Sequence, residues 1–190
     1  MAIGLVGSEM CIRDSLTTIL NCTMKIQILL LTCLLAQGCV YKATAIAHIK
    51  GLNSNPINGV AKFVEENGLV TLVLKLRDTD SESLAIHIHE YGNCDSVDGK
   101  SAGGHWNPTN EDHGKWGVPP FHSGDIGNIN IDENNTANFE LKDLFKRWSI
   151  SNPGKSNIIG RAIIVHSGVD DYISQPSGAA GSRIGCGVIR

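Results

Sequence analysis

The sequence predicts an all-β fold, an antiparallel sandwich or barrel of about eight short strands with two long functional loops. Glycine accounts for 21 of 190 residues, while Phe, Trp and Tyr together make up only 5%. Many glycines and few aromatic residues favour a loop-rich β protein over a helical bundle. Short apolar or alternating runs bounded by turn residues recur along the chain, which is the pattern of strands. At most one or two helical turns are expected, over residues 141–148.

Eight runs carry the strand signal, and in chain order they are residues 41–49, 59–64, 69–76, 84–89, 127–131, 136–141, 158–166 and 185–189. Alternation in the fourth run places His87 and His89 on one face of a strand. Two connections, residues 90–122 and 167–185, exceed the roughly 12–15 residues usual for loops without secondary structure. Both begin or end near a histidine, so we expect them to be functional.

The N-terminal part reads as a targeting segment. Residues 24–39 are predicted to be a signal peptide, because Met24-Lys25 precedes a short apolar run that ends in small residues. That run is shorter than the roughly 20 apolar residues of a membrane span; a buried helix is the alternative. Residues 1–23, upstream of an initiator-like Met24, are interpreted as a non-native or artefactual leader, and residues 40–190 as the folded domain.

Two processing sites compete within this segment. Ala36-Gln37-Gly38-Cys39 is similar to a bacterial lipoprotein box, in which Cys39 would be lipidated and would attach the domain to a membrane. The alternative cut, after residues 43–45 (Ala-Thr-Ala), would remove the start of the first predicted strand. The lipoprotein form is therefore favoured, and with it export to the periplasm or cell envelope.

Cysteine usage agrees with export. Cys11, Cys22, Cys33 and Cys39 all precede the folded domain, which leaves Cys94 and Cys186 within it. An even number in an exported protein predicts a Cys94–Cys186 disulfide, with two buried free thiols as the alternative. The net charge of −3 and the absence of a Lys/Arg cluster argue against a nucleic-acid partner.

Six of the seven histidines and one aspartate follow an ordered spacing: His87-x-His89, His105, His113, His122-x-x-Asp125 and His166. A lone histidine in a strand is usually structural, and His48 is interpreted in that way. Imidazole is the commonest protein ligand of zinc and copper, and a carboxylate among imidazoles suits zinc. The spacing therefore predicts a site for two metal ions.

Around these residues the sequence resembles the copper–zinc superoxide dismutase family, in particular its bacterial exported members. The matching segments are residues 85–90, 104–108, 122–125, 165–166 and 181–189. The resemblance covers about residues 42–190 and implies a Greek-key sandwich or barrel with one copper and one zinc per chain. It implies dismutation of superoxide to oxygen and hydrogen peroxide, an antioxidant defence outside the cytoplasm.

The resemblance also implies a role for each site residue. Copper would be bound by His87, His89, His105 and His166, and zinc by His105, His113, His122 and Asp125. His105 would bridge the two metals and help deliver a proton to the departing peroxide. Arg183 would stand over the copper and attract the anionic substrate.

Asp170 matches a carboxylate that links His87 to His113, with a solvated acid beside Asp171 as the alternative. Residues 169–182 carry only these two charges, whereas many family members carry several there. The strength of electrostatic steering therefore stays open, and so does the oligomeric state, for which a homodimer is one option.

Two other functions compete with the enzyme. A non-enzymatic dismutase-like domain that binds or chaperones copper typically lacks copper ligands, whereas this chain has all four histidines and Arg183. A hydrolytic zinc enzyme would need an open coordination position and a general base, and Asp125 occupies the fourth position here. Superoxide dismutase is the favoured prediction.

Overall fold

A computed structural model describes residues 41–190, which fold into eight β-strands. The strands are β1 (Lys42–Gly51), β2 (Asn58–Glu66), β3 (Leu69–Arg77), β4 (Ser83–His89), β5 (Asp125–Asn130), β6 (Thr136–Lys142), β7 (Ala162–His166) and β8 (Arg183–Val188). The only helix in this part of the chain is a single 3-10 turn, Lys100–Ala102. None of the helices described there is long and apolar enough to cross a membrane.

The strands form one antiparallel sheet in the order β5-β4-β7-β8-β1-β2-β3-β6. Strands β5 and β6 at the two ends of this order are joined by a tight turn, in which Asp132 donates its N–H to the Thr136 carbonyl at 2.7 Å. The sheet therefore curls into a nearly closed barrel. Connections from β3 to β4 and from β6 to β7 cross between non-adjacent strands, which confirms the predicted Greek-key architecture.

Alternation of side chains builds the barrel interior. In β1, for example, Ala45, Ala47 and Ile49 are buried while their neighbours face solvent. The same period in β2 and β3 buries Phe63, Leu72 and Leu74. Because successive strand residues point to opposite faces, one face of the curled sheet supplies the core inside the barrel.

Strand β4 departs from this alternation, since every residue from Leu84 to His89 is buried. Leu84, Ile86 and Ile88 join the barrel core. His87 and His89 lie on the opposite face, where the two long loops cover the sheet. These loops, residues 90–122 and 167–182, convert the outside of β4, β7 and β8 into a second, polar interior.

The predicted disulfide joins Cys94 to Cys186 across a sequence separation of 92 residues. It fastens the first long loop to β8. The small second core beneath it consists of Leu52, Ala102, Ala162 and Ile164 with Cys186. The loop that carries His105 is thus attached covalently to the strand that begins at Arg183.

The limits of several strands differ from the sequence expectations by a few residues, and two differences are larger. The seventh strand begins at Ala162 rather than at residue 158. The helical turns expected over residues 141–148 do not form, because the Asp143 carboxylate accepts the backbone N–H groups of Phe145 and Trp148. Lys146 also has a left-handed φ of 54°, which is incompatible with a helix.

The predicted leader, signal peptide and lipoprotein cysteine lie outside the described residues. The alternative cleavage site does not: Ala43 and Ala45 lie within β1, and Ala45 is 1% exposed. A cut after Ala45 would remove the first four residues of that strand and their pairing with β2.

Candidate metal centre

Two clusters of ligand atoms share one histidine on the loop-covered face of β4 and β7. One consists of His87, His89, His105 and His166, and the other consists of His105, His113, His122 and Asp125. In each cluster the candidate atoms lie within 4.8 Å of one another. All seven residues singled out by their spacing are therefore brought together, whereas exposed His48 belongs to neither cluster.

The second cluster converges on one carboxylate oxygen. Asp125 Oδ1 lies 2.8 Å from His105 Nδ1, 3.0 Å from His113 Nδ1 and 3.2 Å from His122 Nδ1. Its other oxygen accepts the backbone N–H groups of Gly114 and His122 at 3.1 and 2.8 Å, which fixes the carboxylate. Three nitrogens and one oxygen at these separations approximate the ligand spacing of about 3.3 Å around a tetrahedral zinc ion.

Five of the six histidines use one ring nitrogen to donate to an acceptor outside the clusters. His87 and His113 donate from Nε2 to the two oxygens of Asp170 at 2.8 and 2.9 Å. The other three histidines donate to backbone carbonyls: His89 to Gly103, His166 to Gly181 and His122 to Glu111. Each acceptor favours the neutral tautomer whose other nitrogen faces the cluster with a free lone pair.

His105 has no such outer acceptor. Its Nδ1 lies against Asp125 in one cluster, while its buried Nε2 has no hydrogen-bond partner and faces the other cluster. The ring packs 3.9 Å from that of His87 and is only 3% exposed. Both of its nitrogens are therefore directed at ligand positions.

The donor set fits two transition metals. Buried His87 Nδ1, His105 Nε2, His113 Nδ1 and His122 Nδ1 have no hydrogen-bond partner among residues 41–190, and the large majority of buried polar atoms do have a partner. Four imidazoles in the first cluster suit copper, and three imidazoles with a carboxylate in the second suit zinc. Bound metal ions would satisfy all four of these atoms.

Electrostatics differ between the clusters. Burial lowers the pKa of His105 to about 4 and of His166 to about 3, and it lowers the pKa of His89 well below the usual value. These rings are neutral at pH 7, the form that binds a metal. Burial also opposes protonation of His113, but contacts with Asp125 and Asp170 outweigh it and raise its pKa to about 9. The carboxylate cluster thus favours positive charge.

Asp170 links the two clusters and is itself braced. Asn128, which sequence analysis missed, accepts the Asp170 backbone N–H at 2.7 Å and donates to its carbonyl at 2.9 Å. Burial would raise the pKa of Asp170, but its hydrogen bonds with His113 and His87 hold that pKa well below its usual range. Asp170 is 3% exposed, so the solvated alternative is wrong. Only Asp171 leaves a charge on the outside of this loop.

Arg183 lies in the wall of a cleft of about 840 Å³ that reaches His89, His105 and His166. Its guanidinium donates to the carbonyls of Gly99 and Gly103, each at 2.7 Å. The Gly103 carbonyl also accepts from His89 Nδ1 at 3.0 Å. One carbonyl therefore orients both the arginine and a histidine of the first cluster, so a fixed positive charge faces the cleft.

An antiparallel barrel with two adjoining clusters of potential metal ligands and an arginine-walled cleft is the arrangement expected of a protein that binds two metal ions and admits a small anion. The family model for copper/zinc superoxide dismutase (SODC) matches residues 57–189. Cu-Zn superoxide dismutases 1 and 2 of Aquifex aeolicus are each 37% identical, over 70% and 76% of this chain and 79% and 86% of theirs. The protein belongs to the copper/zinc superoxide dismutase family.

Solved structures agree with this assignment. The clock protein EA4 superposes with a TM-score of 0.69 at 33% identity, covering 80% of this chain and 97% of its own. A double mutant of a SOD-like protein from Bacillus subtilis gives a TM-score of 0.66 at 30% identity, over 75% and 95% of the two chains. The predicted activity is confirmed: the protein dismutates superoxide, with copper and zinc as its metals.

Proposed function

We propose that His87, His89, His105 and His166 hold the copper and that His105, His113, His122 and Asp125 hold the zinc. The observation that carries this division is the environment of His105, whose two ring nitrogens face different clusters and lack any outer acceptor. The carboxylate belongs to the second cluster only, and a mixed imidazole and carboxylate set suits zinc. His105 is then the bridging ligand.

Dismutation takes one electron from one superoxide, which leaves as oxygen, and gives it with two protons to the next, which leaves as hydrogen peroxide. Bound copper supplies the one-electron exchange, because zinc does not change its oxidation state. The residues of the chain bind the anion and supply protons. His105 Nε2 belongs to the cluster that borders the cleft, so when it is not bound to copper it would be placed to hold a proton and to release it to the departing peroxide.

Arg183 binds and orients the substrate in this scheme. Its two bonds to Gly99 and Gly103 hold the guanidinium at the cleft wall, and a cation fixed beside a partly desolvated cleft attracts an anion. Partial burial lowers the pKa of Arg183, but arginine remains charged at every physiological pH. Substrate attraction therefore does not titrate with this residue.

Metal analysis of three single-ligand variants tests the division. His89→Ala should lose copper and retain zinc, His122→Ala should lose mainly zinc, and His105→Ala should weaken both. The wild-type protein, reconstituted in parallel, should hold close to one copper and one zinc per chain. Normal copper and zinc content in His105→Ala would refute the bridge.

We also propose that the protein is exported and attached to a membrane through lipidated Cys39, with residues 40–190 as the folded domain that follows this anchor. The burial of Ala45 inside β1 supports processing at Cys39 over a cut after residue 45. Intact-mass analysis of protein isolated from cells distinguishes a diacylated Cys39 from an unmodified Ile46. An unmodified N-terminus would refute lipid attachment.

A homodimer is proposed as the assembly. Val118, Leu144 and Phe145 are 62%, 68% and 47% exposed in two neighbouring loops, and the Phe145 ring lies beside Gly117. Adjacent exposed apolar side chains often mark a protein interface. Sedimentation equilibrium of the wild type and of Phe145→Glu tests this; a monomeric wild type contradicts it.

A further inference from the structure

Gln175 forms two hydrogen bonds with the backbone of His113, a residue of the second cluster, and no sequence motif predicts them. Its Oε1 accepts the His113 N–H at 2.9 Å, and its Nε2 donates to the His113 carbonyl at 3.0 Å. The side-chain amide thus makes the two-bond pair that a neighbouring strand would make. Only an amide side chain offers one donor and one acceptor in this arrangement, and asparagine is one methylene shorter.

The ring of His113 is held from the same loop. Asp170 Oδ1 accepts from His113 Nε2 at 2.9 Å, while His113 Nδ1 lies 3.0 Å from Asp125 Oδ1. With its backbone held by Gln175 and its far ring nitrogen held by Asp170, His113 can direct Nδ1 at only one point. Both restraints come from the connection between β7 and β8.

Gly178 shows how closely this loop is applied to the site. A Cβ atom at Gly178 would lie 1.9 Å from Asp170 Oδ1 and 2.6 Å from His113 Nε2, and the residue has a φ of +67°. Only glycine fits both the approach and the backbone conformation. The loop is therefore packed directly on the hydrogen bond that orients His113.

The same segment forms one wall of the substrate cleft. Gln175, Pro176, Ser177, Ala179 and Ala180 line it opposite the metal-site histidines. Gln175 therefore contacts the backbone of His113 and the cleft at the same time.

From these contacts we infer that Gln175 is a positioning residue, which holds His113 for zinc and couples zinc retention to the wall of the substrate cleft. This inference rests on the zinc assignment proposed above. Outer partners of metal ligands typically contribute about 10–100-fold to metal affinity. Loss of both Gln175 hydrogen bonds should therefore accelerate zinc release by about tenfold or more.

The test uses the full copper-loaded protein with Co²⁺ in place of zinc, since tetrahedral Co²⁺ absorbs visible light. The rate at which EDTA removes Co²⁺ is measured for wild type, Gln175→Met and Gln175→Ala. Methionine keeps the length of the side chain and fills the wall but makes neither hydrogen bond. Asn138→Ala is the matched control, because Asn138 is an exposed amide without a side-chain hydrogen bond to any residue of 41–190.

Both Gln175 variants should lose Co²⁺ about tenfold faster or more than wild type and Asn138→Ala, with an altered Co²⁺ spectrum and an unchanged Cu²⁺ band. A wild-type release rate in Gln175→Met overturns the inference. So does a fall in Tm of the metal-free protein that leaves Co²⁺ release unchanged, since that is the signature of a purely structural role. Replacement of His113 by alanine distinguishes the two proposals. If the His113→Ala variant binds Co²⁺ as tightly as wild type, the zinc assignment is refuted instead.

Discussion

Removal of the Cys94–Cys186 disulfide should destabilise the metal-free domain by about 4–5 kcal/mol. The cross-link closes a loop of 92 residues, and the chain-entropy relation gives about 4.6 kcal/mol at 25 °C for that length. Unfolding the 150 described residues, 41–190, carries an entropy of about 0.3 kcal/mol/K. The free-energy loss therefore corresponds to a fall in Tm of about 15 °C.

Removal of the disulfide should also affect the geometry of the substrate cleft. Cys94 lies in the loop that presents the Gly99 and Gly103 carbonyls to Arg183, and Cys186 lies in the strand that begins at Arg183. With the covalent link gone, the two hydrogen bonds alone hold the guanidinium in place. We expect dismutase activity of the metal-loaded variant to fall by more than its metal content does.

Urea unfolding of the metal-free protein measures the effect. Cys94→Ala/Cys186→Ala and the chemically reduced wild type should agree within about 1 kcal/mol, because both lack the cross-link and differ only in buried sulfur. Metal-free protein is required, since bound metals stabilise the folded state by mass action. A loss below about 1 kcal/mol in both preparations would show that the cross-link does not act by restricting the unfolded chain.

Three further outcomes are expected. Arg183→Ala should lower kcat/KM several-fold and flatten its decrease with ionic strength at unchanged metal content; an unchanged salt dependence contradicts attraction by this residue. Asp170→Asn keeps the shape of the side chain but leaves one acceptor oxygen for the two histidines His87 and His113. Metal affinity should therefore fall about 10–100-fold, as measured by chelator competition. A wild-type affinity would show that Asp170 does not support the metal ligands. Burial of Glu65 opposes ionisation, but hydrogen bonds from Ser151 and Ile150 outweigh it and lower its pKa. The stabilisation that ionised Glu65 provides is therefore present above the unfolded pKa of about 4.3 and is lost as pH falls through the lower folded pKa. Glu65→Gln should lower the free energy of unfolding by about 1.5–3 kcal/mol at pH 7 and by much less at pH 3, as measured by urea unfolding. An equal loss at both pH values would contradict this expectation.

Local sequence determined most of the fold. Alternation in β1 to β3 follows from the two-residue period of a strand, so the buried residues could be read directly from the pattern. The exceptions arise where a tertiary contact competes with local preference. Residues 141–148 have some helical character, but the Asp143 carboxylate takes the N–H groups of Phe145 and Trp148.

The candidate ligands could be selected by residue type and spacing, because six histidines and an aspartate in that order are rarely found in a protein without a metal site. Apart from Asp170, which the family resemblance indicated, the outer hydrogen-bond partners of these ligands could not be predicted. The acceptors of His89, His122 and His166 are backbone carbonyls, which every residue possesses and which carry no sequence signal. Asn128 and Gln175 act on the backbone of Asp170 and His113 in the same way, 42 and 62 residues away.

Residue types and their spacing along the chain were enough to select the side chains that can bind metal and the two cysteines that remain to be paired. The family resemblance added the bridging role of His105 and the link made by Asp170. The folded structure alone revealed that the Gly103 carbonyl orients Arg183 and His89 together. These two kinds of information, from the sequence and from the folded structure, differ in the distance along the chain over which they act. Residue type and alternation are properties of neighbours along the chain, whereas the direction of a ring nitrogen is set by acceptors that folding brings from distant loops.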